Sequence, residues 1–476
     1  MVRLDSALAG RVLVFALVFL WPLVLFGRPT YLMGDSLAYL KTGQQAVEFA
    51  QSKLSGPAVH PVGEPAVNGG VLPAAQGAAR GADTKTARSV TYSVATFALR
   101  GPGNSLGGLA LAQVLAVSFL CAVAGIALGM RRLQSHGAVA VLVGLATPAA
   151  PFALFTVPDI WAGILLGAMT LLIALGDRLS NAVKACLALA VVFAISAHAS
   201  IPPIAAGMAI IGLVLYIAQS RTGLNVAAAT LGWVMVPLAL GYATNVAINY
   251  ISFGKPSATG KRIPTALARS IAQGPAKWYL EEQCKQPRYA VCEIYGTKIP
   301  GKINGFLFDK GSLNDLATPE QMDRIRAEES EIVLKAAMAY PGVELSKLST
   351  GVLKQLVTFD LGLTNFRRMV VTGTDGSPVL VDTQQDHSTP LRIMDVLTIL
   401  LLVAVCAWVA LRYRQLERHE RAVLVLLVLG MLGNAFVCSV FSGVAERYQA
   451  RVVWLFPAFI LCMIACRFRA ETMDRR

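Results

Sequence analysis

Stretches of about 20 apolar residues recur along this chain, each long enough to cross roughly 30 Å of hydrocarbon. Short polar turns separate most of them. The pattern predicts ten membrane-spanning helices, at about 8–27, 105–130, 137–156, 160–176, 183–199, 201–219, 224–251, 392–412, 422–443 and 452–467. The fifth and sixth are nearly continuous, divided by Ser200-Ile-Pro-Pro203. Two excursions break the rhythm: a first loop at 28–104, and residues 252–390 ahead of the last three spans. The expected fold class is therefore an all-α polytopic membrane protein with a partly helical periplasmic domain. Its parts are a bundle (1–251, including the first loop), the domain (252–390) and C-terminal helices (391–476).

In the first loop, Gly34 to Gln51 reads as a short helix with Leu37, Leu40, Ala46 and Phe49 on an apolar side. Ser55 to Asp83 is rich in Gly, Ala and Pro and too poor in large apolar groups to form a core. Ala87 to Leu99 returns to amphipathic character and suits a membrane interface. In the large excursion, Thr318-Pro-Glu-Gln321 is a capping box with proline at the first helical position. The helix it opens carries Met322, Ile325, Ile332, Ala336 and Tyr340 along one side and ends at Pro341-Gly342. A second helix with Leu345, Leu348, Val352 and Leu356 on one face completes an expected hairpin whose apolar seam packs on the bundle or on the rest of the excursion.

A composition of 55% hydrophobic and 15% charged residues, with mean hydropathy +0.58, lies outside the soluble globular range. The net charge of +14 invites a nucleic-acid partner, but its distribution argues against one. Arg131-Arg132, Arg178, Lys184, Arg221, the run Arg412 to Arg421 and the run Arg467 to Arg476 fall on one face of a ten-span bundle. That is the positive-inside pattern; it puts both termini in the cytoplasm, and its basic rim attracts membrane lipids rather than nucleic acid. The first span lacks a small-residue cleavage site before Arg28-Pro-Thr-Tyr31, so it is expected to stay as an anchor. Cys121, Cys186, Cys406, Cys438, Cys462 and Cys466 lie in apolar spans, where a thiol behaves as a small hydrophobe. Cys284 and Cys292 alone lie in the large excursion, near enough to bridge in an oxidising compartment such as a bacterial periplasm. The alternative there is two unpaired loop thiols.

Gly34-Asp-Ser-Leu37 spells the tag of a family of serine esterases, but it follows a membrane span, and Asp386-His387 has the wrong spacing to complete the site. A second resemblance extends over the whole layout. Asp35, in Tyr31-Leu-Met-Gly-Asp-Ser-Leu-Ala-Tyr39, lies soon after the first span; Pro158-Asp159 lies at the end of the third. Ala197-His-Ala-Ser-Ile-Pro202 forms a turn between two central spans, and Glu446-Arg-Tyr-Gln-Ala-Arg451 leads into the last. Arg88 and Tyr92 supply an Arg-x-x-x-Tyr pattern. Together these resemble the GT-C superfamily of polytopic glycosyltransferases, which includes the protein O-mannosyltransferases and the lipid A aminoarabinose transferase. The chain departs from that pattern in that Asp35 is followed by Ser36 rather than by a second acidic residue.

The resemblance implies an enzyme of the bacterial inner membrane, with its active face in the periplasm. It would move a sugar from a polyprenyl-phosphate donor to an envelope glycan, lipid or protein. A carboxylate must take the proton of the attacking hydroxyl, and fixed cations must receive the departing phosphate. Asp35 and Asp159 are the candidate carboxylates; Arg447 and Arg451, then Lys41 and Arg88, are the candidate phosphate groups. Glu446, His198 and Tyr92 are further candidates, and Mg²⁺ or Mn²⁺ is left open as a cofactor. The structural alternatives are helix caps for Asp35 and Asp159, a satisfied core group for His198, a Glu446–Arg447 pair and a snorkelling anchor for Arg451. A related alternative is an O-antigen polymerase or ligase, and a non-enzyme alternative is a lipid or polysaccharide transporter. Transporters are commonly built from internal repeats, and no repeat is visible here.

Overall fold

The computed structural model describes residues 1–32, 34–54, 88–219, 228–254 and 256–474, with side chains over the same residues apart from 52–54, 228–229 and 468–474. The Gly/Ala/Pro-rich stretch Ser55 to Asp83 and the basic Arg221 lie outside the described residues.

The chain is mostly helical. In order come α1 (Ser6–Phe19), α2 (Trp21–Phe26), α3 (Asp35–Leu54), α4 (Val90–Ala98), α5 (Gly107–Ala127), α6 (Leu133–Ala146), α7 (Ala149–Ala153), α8 (Ile160–Leu175), α9 (Asn181–Ala197), α10 (Ile201–Ile217) and α11 (Ala228–Phe253). Six shorter or polar helices follow: α12 (Thr265–Gln273), α13 (Pro275–Gln283), α14 (Ala290–Tyr295), α15 (Ile303–Leu307), α16 (Leu313–Leu316) and α17 (Pro319–Ala339). Then come α18 (Pro341–Val357), the strands β1 (Arg368–Thr372) and β2 (Pro378–Asp382), α19 (Ser388–Arg412), α20 (Arg418–Phe441), α21 (Glu446–Val453) and α22 (Leu455–Asp474).

By length and composition, seven helical stretches among the described residues can cross a membrane: Ser6–Phe26, Gly107–Ala127, Ile160–Arg178, Thr230–Phe253, Ser388–Gln415, Arg418–Phe441 and Glu446–Arg467. The three other expected spans are shorter apolar helices, Leu133–Ala146, Asn181–Ala197 and Ile201–Ile217. At 1.5 Å per residue, 14 to 17 residues reach about 21–26 Å, short of the hydrocarbon thickness. Pro148 explains the shortest of them. Thr147 before it takes the extended backbone that proline imposes on its predecessor, and the helix ends there.

Contacts divide the chain into two compact units, Met1–Leu37 with Leu99–Tyr242 and Leu348–Arg476, and Ala38–Ala98 with Ala243–Lys347. The first unit is an apolar bundle with α8 at its centre, packed by α5, α9, α10, α20 and α21. Of its best apolar window, 89% is buried, against 17% for Ser388–Gln415. Leu13, Leu17 and Val24 on α1 and α2, and Leu400 and Val403 on α19, are exposed. A bundle that exposes large aliphatic side chains around a filled interior is built for a hydrocarbon surrounding, and the chain is a helical membrane protein. Glycines on α8 allow close helix approach: a Cβ on Gly163 would meet the Arg451 carbonyl oxygen at 2.6 Å, and one on Gly167 would meet Leu120 at 2.6 Å. β1 and β2 form an antiparallel hairpin pairing Arg368 with Asp382 and Val370 with Leu380.

The second unit has its own core, in which Leu267, Ile271, Leu280, Phe306, Met322, Ile325, Ile332 and Ala336 are buried. The capping box forms as the sequence predicts, Thr318 and Gln321 bonding reciprocally. The apolar side of α17 packs on α12, α13 and α14, the rest of the excursion, whereas Leu345 of the second expected helix is 68% exposed. Acidic residues of α17 serve the neighbouring helix starts, Glu329 accepting from the Leu267 N–H at 3.0 Å and Glu328 from that of Ala290 at 2.8 Å. Cys284 and Cys292 are joined by a disulfide. Tyr39 packs edge-on against Tyr92, and Gly43 lies so close to the Ser93 carbonyl that no side chain fits between them.

Candidate functional site

The Asp35 turn is fastened to the segment before Asp159. Thr30 and Phe155 form a parallel bridge, with the Thr30 N–H on the Leu154 carbonyl (3.2 Å) and the Thr156 N–H on that of Thr30 (3.1 Å). Thr156 Oγ1 donates to the Thr30 carbonyl at 2.8 Å. Ser36 Oγ, wholly buried, donates to the Thr156 carbonyl at 3.0 Å and accepts the Leu32 N–H at 3.1 Å. Gln113 holds the far side, its Nε2 donating to Ala153 and Phe155 carbonyls at 3.0 Å each. Gly34 supplies the left-handed backbone, φ 74°, that turns the chain into α3. Ser36 is thus a structural hydroxyl with its bonds filled, unlike the exposed nucleophile that the esterase tag requires.

Asp159 immediately precedes α8 yet makes no capping bond to it, so the cap alternative fails. Its carboxylate lies beside Arg451 instead, with Nη1 to Oδ1 at 3.5 Å and both side chains almost wholly buried. Arg447 adds to the positive field on it. Arg451 reaches this depth because Gly163, one turn into α8, leaves room for the α21 backbone. Its Nη2 donates to Asn434 Oδ1 at 2.9 Å and Ser200 Oγ at 3.1 Å and touches Cys438 Sγ at 3.2 Å. Asn434 in turn holds the first turn of α21, donating to the Tyr448 carbonyl at 2.7 Å.

Arg447 is four residues earlier on α21 and nearer the surface. Its guanidinium lies over the Tyr448 ring at 5.0 Å from the centroid, with Nη1 4.0 Å from Asp35 Oδ2. Both side chains keep about a fifth of their surface, 22% and 23%. The start of α21 is fixed by Gln355 of α18, which exchanges two 2.9 Å hydrogen bonds with Ala445. Glu446 is exposed. His198 Nδ1 accepts the Ser200 N–H at 3.1 Å, which places the ring proton on Nε2, and Ser200 Oγ lies 2.8 Å from the same nitrogen. His198, Ser200, Arg451 and Asp159 thus form one continuous polar chain.

Asp35, Asp159, His198, Glu446, Arg447 and Arg451 all belong to the first unit; Lys41, Arg88 and Tyr92 belong to the second. There Lys41 is exposed, Tyr92 is buried, and the Arg88 guanidinium lies 5.9 Å from the Tyr39 ring centroid. Among the described residues no group of three or more His, Cys, Asp or Glu side chains could hold a metal. Asp159 is committed to Arg451. This donor set does not fit a Mg²⁺ or Mn²⁺ centre. Asn434, Thr156 and Gln355 were not singled out by the sequence. Asn434 carried a signal, a lone amide inside an apolar span, since such groups seek a polar partner. Thr156 and Gln355 carried none. In comparisons with known proteins, no family model, no curated protein and no solved structure matches the chain.

Proposed function

We propose that this chain is an integral membrane glycosyltransferase that moves a sugar from a polyprenyl-phosphate donor to an envelope glycan, lipid or protein at the periplasmic face. The observation that carries the reading is the meeting of Asp35 and Arg447, a partly exposed carboxylate and guanidinium 4.0 Å apart, above the buried Asp159–Arg451 pair. A base and a phosphate-binding cation side by side are what the transfer needs. The acceptor oxygen bonds to the anomeric carbon while its proton passes to Asp35, worth about 10²–10⁴-fold. The bond from that carbon to the phosphate oxygen breaks, and Arg447 receives the charge of the leaving lipid phosphate. A donor phosphate arriving at Arg447 also draws the guanidinium off Asp35 and frees the carboxylate for the proton. Arg451 has its donors filled by protein partners, so its part is to hold Asp159 and the start of α21 rather than to grip phosphate. Asp159 supplies a fixed negative charge that orients both arginines.

The reading keeps ten spans, with three short helices completing the seven long ones, both termini cytoplasmic and 252–390 periplasmic. Cysteines introduced at Gly311 and Gln415 test that orientation: in intact cells an impermeant reagent should label the first alone, and labelling of the second would overturn it. The activity is tested by incubating the purified protein with a panel of polyprenyl-phosphate sugars and measuring lipid phosphate release. Asp35→Asn keeps the size and helix-start character of the residue but removes the base. Turnover should fall about 10²-fold or more with donor binding unchanged. Near-parent turnover would remove Asp35 from the mechanism, and no release from any donor would sink the reading.

A further inference from the structure

At the end of the bundle where α1 begins and α5 ends, a cleft of about 420 Å³ is lined by Arg11, Arg131 and Arg178 together with Val2, Ile126 and Met130. Among the described residues no acidic side chain lines it. Two of the arginines are held in place by neutral groups. Arg11 donates to the Ala7 and Arg131 carbonyls at 2.6 and 2.7 Å. Arg178 donates to the Ala127 carbonyl at 3.0 Å, and its Nη2 lies 3.1 Å from His419 Nδ1. Arg131 is exposed. The carboxylates behind His419 have other partners, Glu417 the start of α20, which it caps, and Glu420 Arg467. Asp177, beside Arg178 in sequence, is exposed and outside the lining.

The wall is firmly built. Val2 is stitched alongside Leu179 by two hydrogen bonds, its N–H on the Arg178 carbonyl at 2.7 Å and its carbonyl accepting from Ser180 at 2.9 Å. Gly129, with φ 107°, makes the turn that brings Met130 and Arg131 round to the rim. Three like charges converging on one concavity without a counter-charge repel one another, and an anion placed among them relieves that repulsion. Leu4, two residues on from Val2, and Leu133, two residues on from Arg131, are 52% and 51% exposed beside the lining and offer a surface to acyl chains. A phosphate ester with an apolar tail satisfies both features at once. We infer that this cleft is a binding site for the phosphate of an anionic phospholipid, separate from the Asp35–Arg447 site.

Native mass spectrometry of the detergent-purified chain reads the occupancy directly, with dioctanoyl phosphatidylglycerol, dioctanoyl phosphatidylcholine and inorganic phosphate as probes. The anionic lipid should bind as a single tight adduct and the zwitterionic lipid should not. Arg131→Gln, which removes no side-chain hydrogen bond among the described residues, should weaken the adduct about fivefold, and Arg131→Glu further. Arg418→Gln, an exposed arginine outside the cleft, should leave it unchanged. Equal binding of the two lipids, or equal retention by the Arg131 and Arg418 variants, would overturn the site. Displacement of the lipid by inorganic phosphate at comparable concentration would make it a soluble-phosphate site and overturn the lipid assignment.

Discussion

Replacing Arg451 with methionine removes a guanidinium with no exposed surface and leaves Asp159, 3% exposed, without its nearest cation. At the observed 3.5 Å, the attraction between the two charges is about 5 kcal/mol for an effective dielectric constant of ~20. The bonds from Arg451 to Asn434 and Ser200 vanish as well, each worth about 1.5–3 kcal/mol for a charged donor. Against these losses stands the relief of no longer burying the guanidinium, itself several kcal/mol. The balance for breaking one side of a buried pair is a loss of about 3–5 kcal/mol. Arg447→Met, at a side chain 22% exposed and 4.0 Å from its carboxylate, should cost only about 0–1 kcal/mol. The decisive comparison is the double variant Arg451→Met/Asp159→Leu, which removes both charges. Its cost should fall short of the summed single costs by more than about 2 kcal/mol. The assay is equilibrium unfolding in mixed micelles of detergent and sodium dodecyl sulfate, followed by tryptophan fluorescence. A loss under about 1 kcal/mol for Arg451→Met, or strictly additive singles, would refute the claim that this pair anchors α21 to α8.

Ser36→Ala deletes the clasp between the Asp35 turn and Thr156. It should cost about 1–3 kcal/mol and raise hydrogen exchange over residues 30–36, with parent-like exchange there as the contrary result. Cys284→Ser/Cys292→Ser opens a loop with a sequence separation of 8, and the chain-entropy relation gives a loss of about 2.5 kcal/mol. A non-reduced digest should yield the linked peptides, and free thiols at both positions would refute the bond. In the second unit, hydrogen bonds from Arg324 to Glu293 and from Lys335 to Glu331 hold both carboxyls below their ordinary 4.5. Folded values below unfolded ones mean that their stabilisation is complete above about pH 4.5 and is lost as pH falls through the folded values. The stability gap between the parent and Glu293→Gln/Glu331→Gln should therefore shrink on acidification, and a gap independent of pH would refute it.

The spans were legible because a bilayer demands long apolar runs, and those runs stand out against polar turns. Run length alone did not show where a helix stops. The expected span at 137–156 is two helices because Pro148 breaks it. The β1–β2 hairpin had a signal that went unread: Met369-Val-Val-Thr372 and Pro378-Val-Leu-Val381 flank Asp375-Gly376, a strand–turn–strand pattern. The buried side of α17 was read correctly from its period, but periodicity names an apolar face and not what it packs against, so the bundle and the rest of the excursion stood as equal candidates; the structure takes the second.

The site was legible as charge and illegible as division of labour. An ionisable residue at the end of an apolar span is costly to place, and that argument picks out Asp35, Asp159, Arg447 and Arg451. It does not separate two arginines one turn apart on the same side of α21, of which one is sealed inside the bundle and the other reaches the surface. The difference is made at long range, by the missing side chain of Gly163 and by Asn434, 17 residues back on the preceding helix. Ser36 teaches the same point from the other direction. Its four-letter context suggests a nucleophile, but the meaning of its hydroxyl is decided by a carbonyl 120 residues away. A local motif states which atoms are available. Whether they meet substrate or hold the fold depends on the bonds already filled, and filling them is a tertiary event.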